Sequence, residues 1–513
     1  MKHRLCGALA VLVLFGSLGL AATITNATIS RETVTMKNVK SVEQPKAGAV
    51  TDITKEKRYS SDAQFTQTMA AKDMATEVLE LKKGKNRVYS PLTLAMDMAM
   101  LAEVTKADTQ SEVLAAMGYG KLADLRKATK KTYRAVHQFL RDGSCKISNS
   151  AWLASGVNFD EGVLTNLTKY DYAEQFVGKM GSEAYDTKLQ NWLNVKTGGC
   201  LTGDVANQKM DEQMLACFLS ASYFNDRWPM HLREKEHKTF HGTNGDKQVT
   251  MLEKSINCGE YYKGNHYKAV EVSLMHGTSF WLFLPDKGYT LSNVFKDDTY
   301  VDIMRGKAKP ARKGGDITIR FPQMDESTSL DAQRALRKLG VAKAFSLEGQ
   351  YEILADERVK MAGITGIVHA TRIMVDKEGI TAASFANAML AGAAQTKWEM
   401  TFNCNRPFAY AVADEKGLVY YLGTVQEAPK APEAKNPPRS IMVDGQVYQE
   451  YEMERYMDDN HVDGTITDSV SSDKLPTKDN QSNFGTGYTY QKHDDWCVDV
   501  CVDGRWISFI VGE

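Results

Sequence analysis

Glu378 to Met400 reads EGITAASFANAMLAGAAQTKWEM. From Gly379 to Thr396 it carries no charge, and most of its side chains are Ala or small polar groups. The segments on either side, ATRIMVDKEG (370–379) and WEMTFNCNRPFAYAVAD (398–414), alternate as strands do. The stretch between them is too small-sided for an ordinary core strand. It is also too apolar and charge-free for an ordinary linker. What surrounds it must explain it.

The chain has 513 residues, 43% hydrophobic and 25% charged, with a formal net charge of -1. That composition suits a globular protein of several domains. It gives no global field for nucleic acid or an anionic membrane. The start, MKHRLCGALAVLVLFGSLGLAATITNA, has a basic end (Lys2, His3, Arg4), an apolar run from Leu5 to Leu20 and small residues at Ala21 and Ala22. This pattern predicts a secretory signal peptide over residues 1–22. No later run is long enough to span a bilayer, so a secreted, extracellular protein is expected. Residues 23–60 are polar and without a period, and read as a tether.

Seven cysteines follow Cys6: Cys145, Cys200, Cys217, Cys258, Cys404, Cys497 and Cys501. An odd, scattered set is not a disulfide framework. Cys497 and Cys501 share one face of an alternating strand, and four strand residues span roughly 13 Å, too far for a mutual bond. No cysteine pair has zinc-ligand spacing with a histidine nearby. Small buried hydrophobes are the expected role, and neither metal nor cofactor is expected.

AQFTQTMAAKDMATEVLELKKG (63–84) keeps helical spacing through Phe65, Met69, Met74, Val78 and Leu79. NRVYSPLTLAMDMAMLAEV (86–104) turns at Ser90-Pro91 into a second helix, and DLRKATKKTYRAVHQFLRDG (124–143) is a third with a basic face. Beyond residue 145 strands appear, TSFWLFLPDKG (278–288) and DITIRFPQMD (316–325) among them. SLDAQRALRKLG (329–340) predicts a helix closed by Gly340. Helices first and strands later indicate α+β. Residues 428–438 continue the proline-rich EAPKAPEAKNPP and read as a stiff linker. Residues 439–513 alternate in SIMVDGQVYQEYEME and WCVDVCVDGRWISFIVG, with a hairpin turn at Asp503-Gly504, and predict a small all-β domain.

Taken in order, these pieces resemble the serpins over residues 61–427. The landmarks are NRVYSPLTLAMDMAMLAEVTKADTQSEVLAAMG, LQNWLNVKTGG, FLSASYFNDRW, VHATRIMVDKEG and TFNCNRPFAYAVADEKGLVYYLGTV, the last matching Phe-x-x-Asn-Arg-Pro-Phe. The resemblance implies the serpin fold: about eight to nine helices around three β-sheets, with an exposed reactive-centre loop. It also implies a function. A serine protease cleaves the loop and forms an acyl-enzyme. The cut loop then enters the central sheet as a new strand and carries the protease with it, trapped.

That mechanism accounts for the opening stretch. A strand that slides between two packed strands must not bury an unpaired charge or overpack the gap. The hinge is Glu378, Gly379, Ile380, Thr381, Ala382, Ala383 and Ser384, and Gly379 lets it turn. Family spacing from Gly379 and from Arg406-Pro407 places the bait bond at Ala393–Ala394, which suits elastase-like or subtilisin-like proteases. Met389 or Leu390 would suit a chymotrypsin-like enzyme instead, and Lys397 a trypsin-like one. The match also assigns Ser90, Thr93 and His369 to a polar shutter under the sheet, and Trp228 to the breach at its top.

The chain departs from the pattern at four places. Ser220 stands where the family has Asn in the shutter, and Asp226 replaces a Gly in the following turn. Ile380 occupies a position where inhibitors usually carry Thr or Ser, and Phe385 is large. The expected protein is a monomeric suicide inhibitor that binds an extracellular serine protease covalently and is not an enzyme. The alternative is a non-inhibitory serpin that binds or carries something. No His-Glu-x-x-His, Gly-x-Ser-x-Gly or Walker sequence is present. Arg126, Lys127, Lys130, Lys131 and Arg134 lie on the helix where some serpins bind polyanions, although a solvated helix face also explains them. The last domain resembles a small β module of secreted Gram-positive bacterial proteins, which points to a bacterial source and to no particular function.

Overall fold

The computed structural model describes residues 17–22, 62–137, 144–197, 209–359, 361–380, 398–432, 439–455, 461–471, 474–494, 496–502 and 505–511. The chain forms two compact units, Met1–Ala431 and Pro432–Glu513.

The first unit is built on a central sheet. Its strands are β1 (Ser17–Ala22), β3 (Ser144–Ala154), β4 (Ala173–Gly178), β5 (Met214–Arg227), β11 (Met324–Asp331), β12 (Ala362–Val375) and β13 (Gly379–Ile380). The spatial order runs β11, β12, then β1 and β13, then β5, β3 and β4. β1 and β13 are both antiparallel to β5 and to β12. The two long strands therefore run in the same direction with a strand-wide slot between them. A longer hydrogen-bonded path joins the remaining strands: β2 (Arg87–Tyr89), β6 (Arg233–Gly242), β7 (Gly245–Gly264), β8 (Tyr267–Ser273), β9 (Thr278–Pro285), β10 (Arg312–Pro322), β14 (Glu399–Asn403), β15 (Phe408–Asp414) and β16 (Val419–Val425).

Helices α1 (Gln64–Ala70) and α2 (Lys72–Val78) replace the one long helix expected. Ala71, with ψ 160, breaks it, and the Lys72 amide is capped by Asp298 at 2.7 Å. Helix α3 (Pro91–Val104) is buried along its whole length. Ser90 caps it, accepting from the Thr93 amide at 3.1 Å, and Pro91 occupies the first turn, where no N–H is needed. A helix enclosed on every side can be apolar all round, and the exceptions on α3 therefore need reasons. Helices α4 (Ala107–Ala116), α5 (Leu122–Val136), α6 (Glu161–Asp171) and α7 (Glu183–Lys196) follow. The helix expected over 329–340 is confined to Gln333–Lys338, because Ser329 to Asp331 pair with β12 as strand.

The linker does not begin where its prolines do. Glu427 accepts from the Asn244 amide at 2.9 Å, and the Asp325 amide donates to the Lys430 carbonyl at 2.9 Å, so this stretch packs on the first unit. Beside it on β11, Glu326 is half-buried and accepts from the Asn86 amide at 2.6 Å. Loss of hydration and the neighbouring Asp325 push its pKa up to about 7.

The second unit is a sheet of β17 (Ser440–Val443), β18 (Gln446–Arg455), β19 (Gly464–Thr465), β20 (Asp468–Ser469), β21 (Gln481–Ser482), β22 (Thr489–Asp494), β23 (Cys497–Val502) and β24 (Arg505–Val511). Its own core gathers Ile441, Val443, Ile466, Val498, Val500 and Phe509. β23 and β24 pair out to Val502 and Arg505, so the register brackets Asp503 and Gly504, which lie outside the described residues. Cys497 and Cys501 lie on β23 as reduced thiols, and Cys145, Cys217 and Cys404 are buried reduced thiols in the first unit; Cys258 is exposed.

Two outcomes follow. Glu326 holds its proton to higher pH when folded than when unfolded, so it contributes stability at acidic pH that is lost as pH rises towards about 7. Glu326→Gln is expected to match wild type in acid and to exceed it above neutrality in urea unfolding. Phe509→Ala removes a fully buried ring and should cost about 3–5 kcal/mol. It is expected to unfold the second unit while the transition of the first is unchanged by differential scanning calorimetry.

Candidate functional site

The slot between β5 and β12 is the candidate site. Its mouth is already occupied by the first hinge residues. After β12 the chain turns through Asp376 to Gly379, and the Asp376 carboxylate accepts from the Glu378 and Gly379 amides at 2.8 and 3.0 Å. Ile380 then pairs with Val375 on one side and Asp226 on the other, and is fully buried. The larger side chain at this position is thus accommodated. Gly379 is required for a different reason from the one expected. It is not among the residues with positive φ. A Cβ at Gly379 would lie 2.3 Å from the Asp226 carbonyl oxygen and 2.6 Å from Arg227 Cα, so the glycine provides clearance rather than a left-handed turn. Thr381, Ala382, Ala383 and Ser384 lie outside the described residues, as do Phe385, Ala393 and Ala394.

Trp228 fastens this turn. It is buried, its indole N–H donates to the Asp376 carbonyl at 2.9 Å, and its backbone amide donates to the Glu378 carbonyl at 3.0 Å. Its ring meets Phe280 and Phe321 edge-on. The Leu232 amide donates to the Lys377 carbonyl at 3.0 Å, and His231 pairs with Glu378 at 2.7 Å.

Asp226, noted in the sequence only as an unusual residue in a turn, is the most completely partnered carboxylate at the mouth. It is fully buried. It accepts from its neighbour's amide, Arg227 N, at 2.8 Å, from His276 Nδ1 at 2.8 Å and from Thr278 Oγ1 at 2.6 Å. Together with the Met275 amide, which donates to the Arg227 carbonyl at 2.9 Å, these bonds tie the end of β5 to the turn between β8 and β9. Sequence reasoning missed His276 and Thr278 because nothing local links them to residue 226.

Below the mouth, α3 underlies the slot. Ser90 and Thr93 are buried at its start, and Asp97 lies one turn further on, fully buried. On β3, Asn149 stands directly across from Ser220 of β5. The Asn149 amide nitrogen donates to the Asp171 carbonyl at 2.6 Å and approaches Met96 Sδ of α3 at 3.9 Å. Both carboxyl oxygens of Asp97, the Ser220 hydroxyl and Asn149 Oδ1 are buried without a hydrogen-bond partner. Burial drives the Asp97 pKa well above the usual carboxylate range, and the Ser220 hydroxyl and amide, close to the carboxyl but outside ordinary hydrogen-bond geometry, act against it. His369 is placed by backbone register. Ser17 bridges Leu219 to Val368, and Ile380 bridges Asp226 to Val375; both bridges set His369 level with Ser220 across the slot. Asn149 and Asp97 were not foreseen. The one available signal was the spacing of Ser90, Thr93 and Asp97 on one face of a helix whose only other charged residue is Glu103.

The basic helix is less available than its sequence suggested. Arg126 makes a two-pronged pair with Glu103 at 2.8 and 2.5 Å and lies 4.3 Å from the centre of the Tyr170 ring. Lys127 is 3.4 Å from Asp124 and Lys131 is 3.9 Å from Asp62.

The serpin (serine protease inhibitor) family model matches residues 66–428. The chain belongs to the serpin family. Relatives include neuroserpin of Mus musculus, 22% identical over 67% of this chain and 86% of its own length. Plasminogen activator inhibitor 1 of Sus scrofa is 21% identical over 68% and 89%. The solved structure of human thyroxine-binding globulin complexed with thyroxine superposes with a TM-score of 0.60 at 14% identity, covering 72% of this chain and 100% of that one. Among the described residues of this serpin, no helix is long and apolar enough to cross a membrane, and no group of His, Cys, Asp and Glu is arranged to hold a metal ion.

His276→Ala leaves the enclosed Asp226 carboxylate one donor short, at a cost of about 1–3 kcal/mol. The expected outcome is a lower urea midpoint for the first unit. An unchanged midpoint would show that the mouth of the slot does not depend on this pair.

Proposed function

We propose that this serpin is a secreted suicide-type inhibitor of extracellular serine endopeptidases. The observation that supports it best is Gly379–Ile380, seated between β5 and β12 at the head of a slot that takes an antiparallel strand. A loop cut beyond residue 380 continues along that line. Backbone groups on both slot edges then gain partners, and small, uncharged side chains enter without burying charge. The bait bond is Ala393–Ala394, and the protease is elastase-like or subtilisin-like, with a small apolar pocket for Ala393. A serine attacks the Ala393 carbonyl, the Ala394 amine leaves, and the acyl-enzyme is carried along as the hinge inserts. This serpin contributes no catalytic group. Residues 1–22 act as a leader; their removal after Ala22 takes β1 out of the slot and leaves it to the loop.

A carrier role is the second reading. The departures at Ser220 and Asp226 favour it, as does the likeness to thyroxine-binding globulin. Polyanion binding by α5, through Arg126, Lys127, Lys130, Lys131 and Arg134, would have to compete with the carboxylates that pair with Arg126, Lys127 and Lys131.

The two readings separate in one experiment. The protein is mixed with pancreatic elastase, neutrophil elastase and subtilisin and followed on denaturing gels with mass spectrometry. The inhibitor reading predicts an SDS-resistant complex and a released fragment that starts at Ala394. Ala382→Arg, which would bury a charge on insertion, is expected to abolish the complex, with cleavage at the same bond continuing. Cleavage without a complex in the wild type would select the carrier reading.

A further inference from the structure

Away from the slot, residues of β6, β7, β10 and the end of β14 line a pocket of about 440 Å3. None of them belongs to the slot. A row of three crosses neighbouring strands: Glu253 of β7 stands opposite Arg320 of β10, and Arg320 stands beside Asn403 of β14. The Glu253 side chain is only 10% exposed. One of its oxygens accepts from Arg320 Nε at 2.7 Å, and Lys235 Nζ of β6 lies 3.6 Å from the other. The Arg320 hydrogen bond, with Lys235 and Arg233 nearby, holds the Glu253 carboxyl below its usual pKa, so it is ionised at neutral pH. The register of β6 on β7 slips between Lys235 and Lys238, where His237 takes φ 52. A bulge re-aims side chains, and here both lysines line the pocket.

Three cations, Lys235, Lys238 and Arg320, thus share the pocket with one carboxylate. His241 at its edge is already paired with Asp246 at 2.9 Å. Among the described residues, Lys238 has no ion-pair partner and neither Nη of Arg320 makes a hydrogen bond. The Asn403 side-chain oxygen is buried without a partner, so its amide turns into the pocket without breaking a bond of that oxygen. Lysines on an edge strand alone would serve to block unwanted pairing. That task needs no arginine from an interior strand and no buried carboxylate to fix its guanidinium. A surplus of two positive charges, a braced arginine fork and an uncommitted amide are what a doubly charged organic anion requires. We propose that this pocket binds a small organic dianion, a phosphate monoester or a hydroxydicarboxylate, with its acid groups on Arg320, Lys235 and Lys238 and its neutral groups on Asn403 and Asn405. Glu253 is a positioning residue that holds Arg320 in place. A bound ligand joins β6 to β14 and so stabilises the first unit. Binding requires neither cleavage nor insertion of the loop.

The test titrates the full protein at neutral pH and constant ionic strength with inorganic phosphate, glucose 6-phosphate, malate, uncharged glycerol and heparin. Isothermal titration calorimetry gives the affinity, and Tm is followed in parallel. Saturable one-to-one binding of the phosphate compounds or of malate is expected, with a Tm of the first unit that rises with their concentration and no response to glycerol. Which of the two binds identifies the source of the dianion. Lys238→Ala removes a cation that has no partner in the fold, and should weaken binding about tenfold with the ligand-free Tm unchanged. Arg320→Lys keeps the charge but loses the fork, and should weaken binding by about as much. Glu253→Gln removes the one opposing charge and should tighten binding about tenfold, a gain that a purely structural role for Glu253 would not give. If either of these last two variants folds poorly, Lys238→Ala still decides. No saturable heat with phosphate compounds or malate would overturn the site. Equal affinity in wild type and Lys238→Ala would do the same, as would binding of heparin alone.

Discussion

Two strand edges facing each other across a strand-wide gap are the constraint on which this protein depends. Every backbone N–H and C=O along β5 and β12 that looks into the slot needs a partner. An unfilled edge is a template for whatever strand can reach it. In the structure the edges are served by Ser17–Ala22 and by Gly379–Ile380. Both segments are short and contain no charge. Under the proposed insertion, the same requirement accounts for the charge-free stretch that follows residue 380, since a charge buried between packed strands carries a desolvation penalty.

Polar groups near the slot divide by depth. At the mouth they are satisfied: Asp226 has three donors, and the turn before Gly379 is closed by Asp376 and Trp228. Beneath the middle they are satisfied less well, since Asp97, the Ser220 hydroxyl and one atom of Asn149 are buried without a hydrogen bond of ordinary geometry. The mouth is thereby held in one arrangement.

The second unit stands on different physics. Its core is its own, and its strands pair in an antiparallel order apart from β20 with β21. Asp499 is fully buried there and is served by His493 Nε2 and Ser508 Oγ, both at 2.5 Å. A buried carboxylate with two donors is a satisfied structural group.

The sequence by itself determined much of this protein. Helix α3 was legible from Ser90-Pro91, because capping is local chemistry. The strands on both sides of the hinge were legible from alternation, and the serpin order from five landmarks. The loop's composition revealed its constraint, because exclusion of charge and bulk is written residue by residue. What only the tertiary structure decided lies between residues far apart in the chain. Gly379 is glycine because the Asp226 backbone crosses it, not because it turns. Arg126 is occupied by a glutamate twenty-three residues earlier. Asp97 and Ser220 belong to one site through the register of β5 over α3. The hydrogen bonds that fix that register are long-range, and no local pattern can encode which strand edge will face which helix.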